Sequence, residues 1–148
     1  MSRRKGRIIA FQSLFSWDAN NVPLDELLTF SWLKKESENQ DEAPSSGASE
    51  DENMFASIIV SGTIQNIDAI DALIDSHLSS NWTRDRINKV ALAILRTSIY
   101  EMKFQEGSNP KIVIDEAINI AKEYGAEDSF KFINAVLDKI GKESGAKA

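Results

Sequence analysis

The sequence predicts an all-α protein of about seven helices, and three features lead to this prediction. Apolar residues recur three and four positions apart along most of the chain, which is the spacing of an amphipathic helix. No segment alternates apolar and polar residues over the length of a strand, and no Asn-Gly hairpin signal is present. The chain has 148 residues, of which 42% are hydrophobic and 27% charged. We therefore expect one globular domain with a substantial core.

The first two helices precede an acidic segment. Apolar side chains repeat at helical spacing through residues 3–19, and the Asn-Asn-Val-Pro run at 20–23 ends that pattern. Pro23 suits the first turn of a second helix, because the amide hydrogen that proline lacks is not needed there. The apolar face of this helix consists of Leu24, Leu27, Leu28 and Trp32. Residues 36–53 contain almost nothing apolar, so we expect a disordered, mobile loop.

The middle of the chain predicts a long helix and then a buried one. A helical stripe begins near Asn53 and continues to about residue 79, with Gly62 placed to allow a kink or a close helix contact. Thr83 is the predicted N-cap of a short helical turn. Residues 87–102 are apolar on nearly every side, and the alanines interleaved there favour a helix over a strand. A helix that is apolar all round is buried, so we expect this one to be the central strut of the C-terminal half.

The last two helices are bounded by glycines. The Gly-Ser-Asn-Pro run at 107–110 is a break, and a helix follows over residues 112–124 with Gly125 as its C′ residue. A final helix starts near Asp128 and stops at Gly141. Residues 142–148 are expected to be a frayed tail.

The charge of the chain is unevenly distributed. The net charge is −6, but residues 36–53 hold seven acidic residues and no basic one, while the first seven residues hold four basic ones. Such a basic arm attracts phosphate groups. Basic N-termini are also commonly only solvated, so the arm alone leaves nucleic-acid binding as one interpretation of two.

Several functional classes are excluded by the residues present. The chain has no cysteine and a single histidine, His77, and it contains no nucleotide-binding, metalloprotease or hydrolase motif. No apolar run is long enough to span a membrane, and no secretory signal is recognisable. The sequence predicts a cytoplasmic protein without catalytic residues, metal site or cofactor.

Arg96 stands out because it lies inside the apolar segment 87–102. A charge in such a place needs a partner or an exposed groove. Two interpretations stay open at this point: Arg96 lines an exposed binding groove, or it forms an internal salt bridge.

Several segments, in order along nearly the whole chain, resemble the NusB family of transcription antitermination factors. The most specific segment is Ile-Asp-Glu-Ala-Ile-Asn-Ile-Ala-Lys-Glu-Tyr-Gly-Ala-Glu-Asp-Ser at 114–129, continued by Lys-Phe-Ile-Asn-Ala-Val-Leu-Asp-Lys at 131–139. The run Ala-Phe-Gln-Ser-Leu-Phe-Ser-Trp at 10–17 also fits, as do Asn-Trp-Thr at 81–83 and residues 94–101. Only the acidic loop is skipped.

The resemblance implies a fold and a function. The NusB-like fold consists of two small packed helical bundles, which would divide this single domain into residues 1–80 and 81–141. NusB-like proteins bind the boxA element of nascent RNA together with a small-subunit ribosomal protein, called NusE in this role. The heterodimer joins RNA polymerase complexes that resist termination, notably on ribosomal RNA operons. The family is not enzymatic.

The resemblance also implies RNA-contacting residues. Arg3, Arg4, Lys5 and Arg7 match the arginine-rich arm of the family, with Gln12 and Phe15 on the helix face behind it. The family often has Tyr where Phe15 stands. The turn before the last helix matches a second RNA-contact region, in which Asp128 contacts a base edge or caps the helix. The remaining candidates are Arg96, Tyr124, Lys131 and Phe132. Phe130 departs from the smaller or polar residues common at its position.

For the ribosomal-protein partner we expect the surface around His77, Trp82, Tyr100 and Glu101. An alternative function is a protein-interaction module that has kept only this contact and no longer binds RNA. A helical accessory domain of an RNA methyltransferase is a third and weaker interpretation.

Overall fold

A computed structural model describes residues 3–29, 50–78 and 81–145. In these residues the chain forms seven α-helices, one short 3₁₀ turn and no strand, which confirms the all-α prediction. The helices are α1 (Arg3–Asn20), α2 (Leu24–Leu27), α3 (Glu50–Gln65), α4 (Ile67–Ser76), α5 (Lys89–Lys103), α6 (Pro110–Tyr124) and α7 (Ser129–Gly145), and the 3₁₀ turn is Arg84–Arg86.

Helix α5 is the centre of the molecule. It packs against α1, α3, α4, α6 and α7, more partners than any other helix in the described residues has. Every residue from Ala91 to Ile99 is buried, as the apolar pattern predicted. Asn88 begins the helix, since its side-chain oxygen accepts hydrogen bonds from the amides of Val90 and Ala91. Helix α5 thus joins helices of both predicted bundles, and the division of the chain at residue 80 stays a prediction.

The single long helix predicted after the acidic segment is wrong, because the structure has two helices that meet at Asn66. The side-chain amide of Asn66 donates to the carbonyl oxygen of Gly62 at 2.8 Å. Asn side chains compete with the backbone in this way and interrupt helices. The axes of α3 and α4 differ by 74°. No single helix in the described residues is long and apolar enough to cross a membrane; only this bent pair passes that test, by length and composition.

The ends of three elements differ from prediction. Residues 50–53 were expected in the mobile loop, but they form the first turn of α3, in which Glu52 is buried. The rest of that loop, 36–49, and Trp32 lie outside the described residues. Helix α7 continues through Gly141 to Gly145, so residues 142–145 are helical; the remainder of the predicted tail is not described. Thr83 precedes the 3₁₀ turn as predicted, but its side chain does not cap the backbone.

Candidate nucleic-acid interface

Arg4 and Arg7 both point from α1 toward carboxylates of the C-terminal half. Arg4 donates from Nε and Nη2 to the Glu116 carboxylate of α6, at 3.0 and 3.2 Å. The Arg4 side chain is still 49% exposed. This hydrogen bonding lowers the pKa of Glu116 below its usual range, so the pair is charged at neutral pH. Arg4 is therefore reachable by an anion, but it already has an anionic partner.

Arg7 forms an ion pair that is more deeply buried than that of Arg4. Its Nε and Nη2 donate to both oxygens of Glu101 at 2.8 to 3.1 Å, and the two side chains are only 11% and 5% exposed. A bidentate pair with this burial is structural in character. The phosphate contact predicted for Arg7 and the partner contact predicted for Glu101 would both require this pair to open first.

Arg3 lies beside a shallow cavity at the start of α1. Its guanidinium carbon lies 5.8 Å from the centre of the Phe55 ring, and that of Arg7 lies 5.6 Å from the same ring. The cavity measures about 320 Å³ and extends to the α5–α6 loop. Arg3 is exposed, whereas Lys5 is partly buried. Of the predicted arm residues, Arg3 and Arg4 present the most surface to solvent.

A ring contact joins the arm's helix to the end of α6. The Phe11 and Tyr124 rings pack edge to face with centres 5.4 Å apart. Together with the Arg4–Glu116 pair, this contact shows that α1 and α6 run in the same direction. Arg4 precedes Phe11 by seven residues, so the arm lies about 10 Å along the helix from the Tyr124 ring. The structure therefore brings the predicted arm and Tyr124 to one face.

Tyr124 combines an accessible ring with a phenol that remains protonated. The residue is 41% exposed. Partial burial, aided by the negative charge of Glu123, raises the pKa of the Tyr124 phenol. A phenol is protonated at neutral pH in any case, so the hydroxyl can donate a hydrogen bond there. Sequence reasoning missed Phe11, the buried residue that positions this ring; its place one turn after Arg7 is the signal that could have found it.

The turn between α6 and α7 has an unusual backbone. Gly125, predicted as the C′ residue of this helix, is its C-cap and has an extended conformation with φ of −86°. The left-handed residue is Asp128, with φ of 68°. Asp adopts this region more readily than most residues, and such outliers cluster at binding sites. The exposed Asp128 carboxylate lies 3.5 Å from Lys131 Nζ, and both face solvent.

The other predicted RNA contacts are less accessible. Gln12 is partly buried, and the rings of Phe15 and Phe132 are partly buried against the core. The spacing of the sequence alone indicates core for Phe132, and its packing agrees with that interpretation. A stacking role for Phe132 rests on the resemblance.

Arg96 forms the internal salt bridge that the sequence left open. Its Nε and Nη2 donate to the Asp71 carboxylate of α4 at 2.9 and 3.0 Å, and Nη1 lies 3.4 Å from Asp18 of α1. The Arg96 side chain is 8% exposed and lies 5.9 Å from the centre of the Trp17 ring. These contacts satisfy the charge inside the protein, so the RNA or partner contact stays a prediction with little accessible surface behind it.

The predicted partner residues do not share one patch. Trp82 is 43% exposed, carries the Arg86 guanidinium over its ring, and lines a cavity of about 590 Å³. Tyr100 lies near the other end of α5, about 16 Å along the axis from its start, and stacks on Phe104. His77 contacts Glu143 of α7 at 2.8 Å. The structure therefore spreads these side chains over several surfaces.

The described residues contain no group of three or more metal-ligating side chains close enough to hold an ion. The face formed by α1, α6 and the α6–α7 turn carries three kinds of binding group. They are the exposed guanidinium groups of Arg3 and Arg4, the Tyr124 ring and the Asp128 carboxylate. Guanidinium groups bind phosphates, rings stack on unpaired bases, and carboxylates accept hydrogen bonds from base edges.

Comparisons with known proteins agree over almost the whole chain. The model of the NusB family matches residues 4–142. The transcription antitermination protein NusB of Treponema denticola is 47% identical over 146 residues, which cover 97% of this chain and 98% of that protein. NusB of T. maritima superposes with a TM-score of 0.78 and 32% identity, covering 97% of this chain and 92% of that one.

A further solved structure contains the antitermination factors NusB and NusE in complex with dsRNA. Its matching chain gives a TM-score of 0.78 at 28% identity, covering 95% of this chain and 96% of that one. The family match, the near-complete coverage of these relatives and the shared helical fold lead to one conclusion. The chain belongs to the NusB family of transcription antitermination proteins.

Proposed function

We propose that this protein binds boxA-type single-stranded RNA together with the ribosomal protein NusE and acts in transcription antitermination. One observation carries the RNA-binding part of this proposal. The Arg4–Glu116 and Phe11–Tyr124 contacts put the basic start of α1 on the same face as the α6–α7 turn. A relative of the same fold is described in complex with NusE and dsRNA, which supports NusE and RNA as partners. The preference for a single boxA-type strand rests on the family resemblance.

The chemistry of the face suits a single strand. Arg3 and Arg4 supply phosphate contacts, which dominate affinity and make binding sensitive to salt. Tyr124 offers a ring on which an unpaired base stacks, and Asp128 offers an acceptor for a base edge. The distance of about 10 Å from Arg4 to Tyr124 along α1 corresponds to about three stacked nucleotides at 3.4 Å each.

For the biological setting we propose what the family resemblance implies. With RNA and NusE bound, the heterodimer joins RNA polymerase complexes that resist termination, notably on ribosomal RNA operons. The surface for NusE includes Trp82 and Tyr100 in this proposal. His77 and Glu101 contribute only where a partner can displace Glu143 or Arg7.

A second candidate is a protein-interaction module that has lost RNA binding. The carboxylates that occupy Arg4 and Arg7 favour it, because a neutralised arginine attracts phosphate less strongly. The test of the main proposal therefore has to measure the arm's contribution directly.

The experiment measures binding of labelled boxA-type RNA over a range of salt concentrations, with and without NusE, for the wild type and the Arg3→Ala, Arg4→Ala double variant. Each lost phosphate contact lowers the slope of log affinity against log salt by about 0.7 for a single strand. We expect a slope about 1.4 lower and weaker binding in the double variant. Arg7 is left in place because its removal would leave Glu101 buried and unpaired.

The matched control is Lys139→Ala with Lys142→Ala, which removes two exposed positive charges from the far part of α7. We expect its salt slope to equal that of the wild type. RNA of the same composition in scrambled order, and the same RNA as a duplex, report sequence and strand preference. Equal slopes for the arm variant and the wild type, with NusE binding intact, would favour the protein-interaction module instead.

A further inference from the structure

A cluster of one ring and two lysines lies at the start of α7. Lys131 pairs with Asp128 of the α6–α7 turn described above, whereas Lys122 and Phe130 have no role in that description. Lys122 Nζ lies 5.0 Å and Lys131 Nζ 6.0 Å from the centre of the Phe130 ring. Both lysines are exposed, and the ring is partly buried against the core. The ring thus packs against the core on one side, while two exposed ammonium groups lie over it.

The cluster faces away from α1. Lys122 precedes Tyr124 by two residues, which places the two side chains about 200° apart around α6. Tyr124 contacts Phe11 of α1, so Lys122 and the Phe130 ring lie on the other side of the α6 terminus. The α6–α7 turn, with its left-handed Asp128, lies between these two ring-bearing surfaces.

The lysines are not tied up by carboxylates. Across the described ranges, Lys122 makes no ion pair, and the only ion pair of Lys131 is with Asp128 at 3.5 Å, between side chains that are 69% and 67% exposed. Exposed pairs of this kind contribute little, and exposed cation–π contacts are weak. Both lysines can therefore leave the ring when a better anionic partner arrives.

We propose that Lys122, Phe130 and Lys131 form an additional subsite for a nucleotide that flanks the stretch held by α1 and Tyr124. An unpaired base stacks on the Phe130 ring, and the displaced lysines contact the adjoining phosphates. This inference rests on the proposed RNA-binding function and extends it, since a strand that passes over the α6–α7 turn contacts rings on both sides. The basic charge around a partly exposed aromatic ring suits a single-stranded nucleic acid better than an apolar protein segment.

The test compares a short RNA that carries only the boxA-type core with the same RNA extended by four nucleotides at each end, using wild type and Phe130→Leu. Leucine keeps the apolar packing but removes the stacking face. Loss of a stacking platform weakens binding by about tenfold. We expect that loss for the extended RNA and no change for the core RNA. Phe130→Tyr, which keeps a ring, should bind the extended RNA as the wild type does.

A spectroscopic readout separates stacking from a change in the fold. The fluorescent base 2-aminopurine, placed in turn at each flanking position, should be quenched by the wild type and not by Phe130→Leu. Lys122→Gln, which leaves the ring in place, should lower the salt slope for the extended RNA alone by about 0.7.

Several results would overturn the subsite. These are equal affinity of the wild type and Phe130→Leu for the extended RNA, equal losses for core and extended RNA, and loss of NusE binding with RNA binding intact. The last result would assign the cluster to a protein partner. A wild type that fails to bind even the core RNA would overturn the proposed function and this inference with it, whereas a wild type that binds normally without a Phe130 effect overturns the subsite alone.

Discussion

At the scale of single residues, the ion pair between Arg4 and Glu116 sets how strongly the arm can bind RNA. The Glu116 carboxylate accepts two hydrogen bonds from a guanidinium whose side chain is half exposed. A phosphate presents the same kind of anionic oxygens and has to replace the carboxylate to reach Nε and Nη2. Glu116 therefore competes with RNA for Arg4.

Replacing Glu116 by Gln should strengthen RNA binding. The amide has no negative charge to hold Arg4, so the guanidinium becomes available to phosphate. We expect a gain of up to about fivefold in affinity at low salt, since the lost competition is that of a surface ion pair. The gain should shrink as salt rises. Equilibrium binding of boxA-type RNA measures it directly.

Asp115→Asn is the matched control, because it removes the same charge from an exposed side chain one position along α6, about 100° around the helix. It should change affinity less than Glu116→Gln does. Equal gains in the two variants would mean that net charge acts here and that the Arg4 pair has no special role.

At the scale of helices, the contact between α3 and α5 depends on Gly62. A Cβ atom built there would lie 2.2 Å from Cε1 and Cζ of the Tyr100 ring. Tyr100 in turn stacks on Phe104 with nearly parallel rings. Because the outer atoms of the ring fill the space that a side chain at residue 62 would need, any larger residue there requires the Tyr100 ring to leave its stacked position.

Gly62→Ala should destabilise the protein by about 1–3 kcal/mol, the usual cost of overpacking a filled interface. This loss exceeds the small gain that alanine gives within a helix. Chemical denaturation of the wild type and the variant measures the difference. Combining Gly62→Ala with Tyr100→Leu should recover part of it, because the smaller side chain vacates the slot. If the double variant lost as much as the two single changes added together, the contact would not be the cause.

The helices also show how far sequence reasoning reaches. Periodicity located α1 and α5 to α7 because each has an apolar stripe or an all-apolar surface, and these signals are local. Periodicity predicted α3 and α4 as one helix, because the apolar stripe continues on both sides of Asn66. The hydrogen bond from Asn66 to Gly62 interrupts the helix but leaves the apolar pattern unchanged. Composition placed Glu52 in a loop, although the packing of α3 against α1 buries it.

Part of the candidate site could likewise be predicted from the sequence, and part could not. The basic arm and Tyr124 could be found from residue types and from the family resemblance. The burial of Arg7 against Glu101, 94 residues away, could not be predicted from the sequence. No local pattern indicates which carboxylate a distant arginine contacts. Sequence left Arg96 undecided for the same reason.

At the scale of the whole molecule, Arg96 connects elements that are far apart in the chain. From the centre of α5 it reaches Asp71 on α4 and Asp18 on α1, and its guanidinium lies over Trp17. Arg84, in the 3₁₀ turn, shares Asp71 at 2.7 Å, and Lys89 shares Asp18 at 3.0 Å. These ion pairs thus connect α1, α4 and the segment that precedes α5 to the centre of α5.

Replacing Arg96 by Met should destabilise the whole fold and leave RNA binding by the folded protein unchanged. Removing one partner of a buried ion pair costs about 3–5 kcal/mol where the other charge is left without a partner. We expect a smaller loss here, because Arg84 still pairs with Asp71 and Lys89 with Asp18. Arg96→Lys should restore only part of this, since an ammonium cannot make the two parallel bonds to Asp71. Denaturant unfolding measures these differences, and RNA and NusE titrations well below the unfolding transition measure function. A variant with wild-type stability and weakened RNA or NusE binding would contradict this assignment and return Arg96 to a binding surface.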